Sequence, residues 1–513
     1  MKRVLIVTSK RLEETVREIV SEAPNEYRIE VLGLPVDVVA LLTPNALKRQ
    51  LLRELGKRGL DVKSFDFVLV SGMIPGDLKP ISEELGVKVL KGTKTLNELK
   101  VAIRKLNELE DKLSFDKPLE DELREYVLEE VAKELQSIDF EKAFDLNGFE
   151  VPLRPPPVKV VAEVMDKGDL EEKLSKASEV TSFVVIGSTS TSPNPSKLPS
   201  LLKLAEKYFK VVALDSMFWK ELNEGCKLGF DVAFSIDRSK IGKVKCDAVV
   251  VIPGDIEKGY WPSSPEEKVK SLLENLREVK SEKVFIDPVL SPPPNTLASL
   301  IAYYDLSKKV KLPLIMGISN FTELVDFDSV GTNATLIQLA AESGVSLVMV
   351  TEESDKARSS WYESAIASVM STISLHRKTP PKDLGTDLLI LKEKKIDRLI
   401  YFEEGEEIEA RDQSFPLEES VVRIWIDGDG VKASVVRGRE KYLVKGDPYL
   451  IGKTLIAKGL VKEPSHALYL GWELHKAYLA WKQEKSYIQE MPLKCPSSKE
   501  KWEELKEFFK GQL

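Results

Sequence analysis

The sequence predicts an α/β protein: a (β/α)8 TIM barrel flanked by a small N-terminal α/β domain and a C-terminal α+β domain. Three observations predict it. Residues 158–375 hold eight short apolar runs, and most are separated by segments with helical spacing. Several of the runs end in acids, hydroxyls or amides, as the working face of a barrel requires. The chain has 513 residues, and a barrel of roughly 250 leaves room for further domains.

Residues 1–100 read as a flavodoxin- or Rossmann-like α/β domain. Val4–Val7, Arg28–Leu32, Phe67–Val70 and Lys88–Leu90 are strand-like, and Leu12–Ser21 and Thr43–Arg58 are helical. The alternation implies a parallel sheet with ligand-competent loops at its carboxyl edge. Neither GxGxxG nor GxxxxGK[ST] is present. Gly72, Gly76 and Asp77 make either an anion-binding turn or a plain strand-to-helix turn. Residues 101–157 read as a charged helical linker ending at Arg154-Pro155-Pro156-Pro157. The barrel spans 158–380, with runs at 158–164, 183–187, 211–216, 231–236, 248–252, 284–287, 312–318 and 346–350. A doubly wound open sheet is the alternative arrangement of the same elements. Residues 385–513 change character. Leu388–Leu391 and Leu399–Tyr401 look like strands, a hairpin turns at Asp427–Gly430, and a long helix follows His466. That helix places Leu468, Trp472, His475 and Leu479 on one face and His466, Tyr469, Glu473 and Lys476 on another, the second a solvated face or a contact for a ligand or subunit.

Composition narrows the classes. Net charge is −8, so no basic footprint argues for nucleic acid or an anionic membrane. Charged residues make up 31%, with few Cys and His, a heat-adapted pattern. Cys226, Cys246 and Cys495 show no CxxC spacing, which argues against a zinc ribbon or a disulfide framework. Three scattered histidines define no metal site. The N-terminus reads as a first strand, and no stretch approaches the ~18 apolar residues of a membrane helix. The expected location is the cytoplasm.

The rim is read from the strand ends. Glu163 lies in the first strand, with Asp166 after it. GSTSTSPNP at 187–195 ends the second, Asp215-Ser216 the third, and Ser235 and Asp237 the fourth. Asp255 follows the fifth, and Asp287, Ser319-Asn320 and Thr351-Glu352 end the last three. Carboxylates accept paired N–H donors, and a 2-amino-4-oxopyrimidine edge offers such a pair. Asp215, Asp287 and Asn320 at separate strand ends are therefore candidates to hold a pterin-like heterocycle. A strand-end Asp can instead cap the next helix.

At these residues the chain resembles a family. IGSTSTSPN from Ile186 is similar to the second-strand IGGESTRPG motif of dihydropteroate synthases, VVALDSM to their third-strand VDT motif, and FIDPVL to their DPG motif. MGISN resembles the GxSN of pterin-binding corrinoid methyltransferase barrels more than the synthase GxSRK. Across nearly its full length the chain resembles the archaeal dihydropteroate synthase-related proteins. The segments that carry this likeness are LPVDVVALLTP, GMIPGDL, GISNFTELVDFDSVGTNA and HALYLGWELHKAYLAWKQEKSYIQE. The resemblance implies a barrel of the pterin-binding type with Asp215, Asp287 and Asn320 on the ring. It implies condensation of a hydroxymethyl-dihydropterin diphosphate with an aminobenzoate-type acceptor, in folate- or methanopterin-like cofactor synthesis. Mg2+ would accompany a bound diphosphate, and barrels of this kind often pair as homodimers.

The sequence departs from the synthase pattern. Ser192 stands where its second-strand Arg would be, Asn320 and Phe321 replace the Arg and Lys of GxSRK, and no RxH follows the eighth strand. Ser190, Thr191, Ser192, Lys356 and Arg358 are the groups left to contact phosphate or acceptor. Three functions stay open: a pterin-condensing transferase, a tetrahydropterin-dependent methyltransferase or its partner, and a non-catalytic pterin-binding protein.

Overall fold

The computed structural model describes residues 1–119, 121–393, 410, 418–493, 495 and 500–501. The chain forms two compact units, residues 1–395 and 396–513. In the first, strands β1 (Lys2–Ser9), β2 (Tyr27–Leu34), β3 (Phe67–Val70) and β4 (Lys88–Lys91) make a parallel sheet in the order β2-β1-β3-β4. Alternate residues explain its two covered faces. Leu5, Val7, Val68 and Val70 pack with helix Pro44–Lys57, while Val4, Ile6, Phe67 and Leu69 pack with helices Glu13–Val20 and Leu96–Arg104.

The linker read as helical over residues 101–157 is helical only to Ser137. Strands β5 (Lys142–Leu146) and β6 (Phe149–Pro152) follow as an antiparallel hairpin. Asn147 and Gly148 both take positive φ, the two-residue turn that an Asn-Gly pair selects. Phe144, Leu146, Phe149 and Val151 join the inward residues of the barrel strands in one cluster. The hairpin thus seals the barrel's amino end, and the working space is confined to the carboxyl ends of the strands. The proline segment after it is tied down, because the Arg154 guanidinium donates to the carbonyls of Ser307 and Leu312.

Strands β7 (Lys159–Met165), β8 (Phe183–Gly187), β9 (Val211–Asp215), β10 (Val232–Ile236), β11 (Ala248–Val251), β12 (Lys283–Ile286), β13 (Ile315–Gly317) and β14 (Leu347–Thr351) form the eight-stranded parallel sheet. β14 pairs with β7, and a parallel bridge from Ile286 to Leu314 joins β12 to the β13 side. This closure makes a (β/α)8 barrel and removes the open-sheet alternative. Inward residues (Val161, Phe183, Ala213, Phe234, Phe285) alternate with outward ones (Val160, Val184, Leu214, Ala233, Ile286) that pack the helices.

Cys226 and Cys246 are joined in a disulfide, against the expectation from their spacing. Helix Trp219–Leu228 and the segment before β11 bring the two Cα atoms to 5.3 Å, which no local motif announces. The bridge closes a loop of separation 20. Reduction, or Cys246→Ala, should lower unfolding free energy by about 3 kcal/mol in the chain-entropy picture. Denaturant melts with and without reductant check this.

In the second unit β15 (Val421–Asp427), β16 (Gly430–Arg437) and β17 (Glu440–Lys445) form an antiparallel meander packed by helices Pro448–Ala457 and Pro464–Lys482. The long helix buries Leu470, Glu473, Leu474 and Ala477, whereas Leu468 and Trp472 are exposed. The face shared by Leu468, Trp472 and His475 is therefore the outer one. Glu473 can be buried because Lys476 and the Tyr487 hydroxyl donate to it. Leu388–Leu391 is not a strand, and Leu399–Tyr401 lies outside the described residues.

Candidate functional site

The period of two that fills the barrel also sets its mouth. One step above inward Val161, Ala213, Phe285 and Met349 stand Glu163, Asp215, Asp287 and Thr351, so three carboxyls and a hydroxyl face the same space. Glu163 and Thr351 lie side by side in register. The buried Thr351 hydroxyl has no hydrogen-bond partner among the described residues. Gly187 on the neighbouring strand leaves room for Met165, since a Cβ there would clash with its Sδ, and the same Cβ would only be in ordinary contact with Glu163 Oε1, at 3.5 Å. Burial, then the charges of Asp215, Glu323 and Glu353, push the Glu163 carboxyl up to about 8. It is a neutral acid at pH 7 and so a hydrogen-bond donor.

Asp215 and Asp287 are built differently, each with a buried lysine. Burial raises Asp215, opposed by Lys240 and by the Ser235 hydroxyl, which donates to Asp215 Oδ2 at 3.1 Å. An irregularity in the β10–β11 pairing and a positive φ at Ser235 turn that side chain toward Asp215. Lys240, 3% exposed, donates to the carbonyls of Ser216 and Ser235, and burial holds its pKa below the ordinary lysine value. Burial pushes Asp287 up to about 6, against the Tyr303 hydroxyl and the Val289 N–H, which both donate to Oδ1, and the Lys268 charge. Lys268 donates to the carbonyls of Pro288 and Val289. Val289 sits at φ 61, a left-handed conformation that a β-branched residue adopts at a cost. The lysine and the aspartate together hold this turn. Val289→Gly should therefore raise stability by about 1 kcal/mol, read from denaturant midpoints.

The loop after β8 has its own support. Asp166 accepts from Lys197 Nζ and from the Thr189 N–H (2.7 Å) and hydroxyl. Burial alone would raise Asp166, but these donors outweigh it and hold its carboxyl low. Lys197 also reaches the hydroxyls of Ser188 (3.1 Å) and Ser190 (2.6 Å). Buried Glu221 accepts from Ser216 and Ser188 and ties this loop to the end of β9.

The remaining candidates divide plainly. Asn320 is exposed, with its amide over Gly317 at the end of β13. Ser319 turns its hydroxyl to accept from the Thr351 N–H. Asp237 accepts from Ser239 and the Ile256 N–H, and Asp255 pairs with Lys258, so both brace loops. Glu352 accepts from Lys176 and the Trp361 N–H in the helix layer. Lys356 donates to the Val325 carbonyl and Asp326, and Arg358 to Asp355, so neither converges with Ser190. Thr191 and Ser192 are exposed. In the N-terminal sheet, Asp77 accepts from the Lys79 N–H, and Gly76 has positive φ, which is a helix-entry turn. Among the described residues no group of three metal-ligating side chains converges, so no step is assigned to a protein-held Mg2+.

Sequence reasoning missed Lys197, Glu221, Lys240, Lys268 and Tyr303. Lys268 did leave a signal. It shares the inner stripe of helix Pro265–Leu276 with Leu272 and Asn275, where a lysine needs a reason.

Residues 400–490 match the family described as PterinBD-DUF4346, and residues 2–94 match a family of unknown function, DUF6513. The uncharacterized protein MJ0107 of Methanocaldococcus jannaschii is 32% identical over 515 residues, covering 92% of this chain and 95% of that one. Among solved structures, the Yersinia pestis dihydropteroate synthase with a pterine-sulfa conjugate is 13% identical. It covers 47% of this chain and all (100%) of its own, at a TM-score of 0.36. The Thermus thermophilus dihydropteroate synthase is 17% identical, covering 42% of this chain and 96% of its own, at 0.34.

Proposed function

The chain belongs to the family of the archaeal MJ0107 protein, the dihydropteroate synthase-related proteins, and from that premise we propose that its barrel mouth binds a reduced pterin. The observation that carries the reading is the set of three inward carboxyls at one barrel mouth, two of them each beside a buried lysine. Asp215 and Asp287, each beside a buried lysine, supply acceptors for the paired N–H groups of a 2-amino-4-oxopyrimidine edge. Glu163, neutral at pH 7, supplies a proton where the ring presents an acceptor nitrogen or oxygen. Asn320, over β13, extends the same rim.

Of the reactions open to such a pocket, this mouth suits departure of a group from a ring nitrogen. The acceptor nucleophile takes the methyl-type carbon as its bond to nitrogen breaks. The nitrogen's electron pair then takes the Glu163 proton, leaving a carboxylate. Lys240 and Lys268 are committed to backbone carbonyls, so neither is offered to a departing diphosphate. A second reading, condensation with an aminobenzoate-type acceptor, draws on the loop after β8. There Lys197 with the Ser188 and Ser190 hydroxyls forms a cation-and-hydroxyl cluster that could receive phosphate oxygens.

Calorimetric titration separates these readings. Hydroxymethyl-dihydropterin is expected to bind, and its diphosphate to bind no more tightly. A diphosphate that gains about tenfold or more, with the gain lost in Lys197→Ala, would move condensation ahead. Failure of either ligand to bind removes the pterin reading.

A further inference from the structure

We propose that the N-terminal sheet carries a second binding site, for a small organic phosphate monoester, in the crevice outside the carboxyl ends of β1 and β3. The inference is independent of the pterin reading. In the order β2-β1-β3-β4, the chain leaves β1 toward β2 and later returns on the other side as β3. The helices after β1 and β2 cover opposite faces, so β1 and β3 flank the point where the winding reverses. Ligands of parallel sheets bind in that crevice.

The crevice is a cavity of about 270 Å³. Leu12, Leu69, Val70 and Leu96 give it an apolar wall, and Ser9 lies at its polar end. Ser9 is 2% exposed, and its hydroxyl has no hydrogen-bond partner among the described residues. Such a group costs about 1–3 kcal/mol unless something pairs with it. Its position names the partner. Ser9 is the extended N-cap of the turn Lys10–Leu12, which runs directly into helix Glu13–Val20, yet its side chain makes no capping bond. The first-turn N–H groups are left without the oxygen that an N-cap serine ordinarily supplies. An anionic oxygen placed there would accept from both the hydroxyl and the backbone.

Helix Leu96–Arg104, on the other side of the crevice, provides the contrast. Thr95 and Glu98 close its start with a complete capping box, so the anion is not drawn there. Local charge is mixed, and the anion site rests on Ser9 rather than on it: Asp37 and Lys94 both line the crevice, Arg11 is exposed in the first turn after β1, and Glu13 of that turn is paired with Lys10, Arg17 and Arg58. The volume is too small for a dinucleotide, which leaves a compact apolar body bearing one phosphate.

The test uses the full chain and three probes: phenyl phosphate, phenol and inorganic phosphate. Phenyl phosphate is expected to bind at least about tenfold more tightly than either other probe. Ser9→Ala should fold with unchanged or higher stability and lose about tenfold or more of that affinity. Ala40→Trp, which puts a bulky ring on the crevice lining, should abolish binding, and Asp287→Asn should leave it unchanged. Equal binding of phenol and phenyl phosphate, or equal affinity in Ser9→Ala and the parent chain, overturns the proposal. Loss of binding in Asp287→Asn also overturns it, by placing the probe in the barrel.

Discussion

Replacing Asp287 by asparagine is expected to weaken reduced-pterin binding about 100-fold while leaving the barrel folded. Hydrogen bonds to a charged acceptor contribute about 1.5–3 kcal/mol each, and the amide keeps only one acceptor oxygen for two ring donors. That oxygen is also the one the Tyr303 hydroxyl and the Val289 N–H already use. The turn therefore survives in the variant, and the ligand loses its carboxylate. A loss near 3 kcal/mol corresponds to the stated factor. The same logic gives a pH dependence. Asp287 protonates near 6, so pterin affinity in the parent chain should fall as pH drops below that value. In Asp287→Asn the fall should be blunted. Calorimetry across this range checks both statements. An unchanged affinity in the variant would mean that the ring does not sit on β12.

Much of the barrel was legible because closing it imposes simple sequence rules. Buried parallel strands read as apolar runs, and the residue two steps beyond an inward apolar one is also inward, which put Asp215 and Asp287 at the mouth by counting. Glu163 was visible by the same count, but its protonation was not, because burial and the neighbouring charges come from strands far apart in the chain. Lys240 and Lys268 were hidden for a related reason. A lysine reads as solvated until the fold shows that backbone carbonyls have replaced its water. The hairpin at 142–152 was a local signal overlooked, since Asn147-Gly148 lies between alternating apolar residues. The Cys226–Cys246 bridge had no local signal at all. Lys356 and Arg358 follow the eighth strand closely enough to suggest the mouth, but an adjacent carbonyl and nearby acids hold them at the outer rim.

Glu163→Gln is expected to make the protein more stable at alkaline pH, by about 3 kcal/mol, while removing its capacity to donate a proton. The sign follows from linkage. The folded-state carboxyl titrates near 8, against an unfolded value of 4.5. Below 4.5 both states hold the proton, and the acid contributes no pH slope. Between 4.5 and 8 the unfolded chain has released its proton and the folded chain has not, so stability falls as pH climbs, at up to about 1.4 kcal/mol per unit. Above 8 the folded carboxyl is ionised among Asp215, Glu323 and Glu353, and the loss is complete. Solvent entering the mouth screens part of this, hence the smaller figure. Glutamine has the same shape and no titration, so the variant and parent stabilities should coincide near pH 4.5 and separate as pH rises. Urea unfolding at several pH values measures the separation, and parallel curves from acid to alkaline pH would sink the assignment. A residue that destabilises its own fold at working pH is explained by what it does to a ligand. A pterin that binds to Glu163→Gln but no longer turns over would place that proton in the reaction. A pterin that binds more weakly would place it in recognition of the ring.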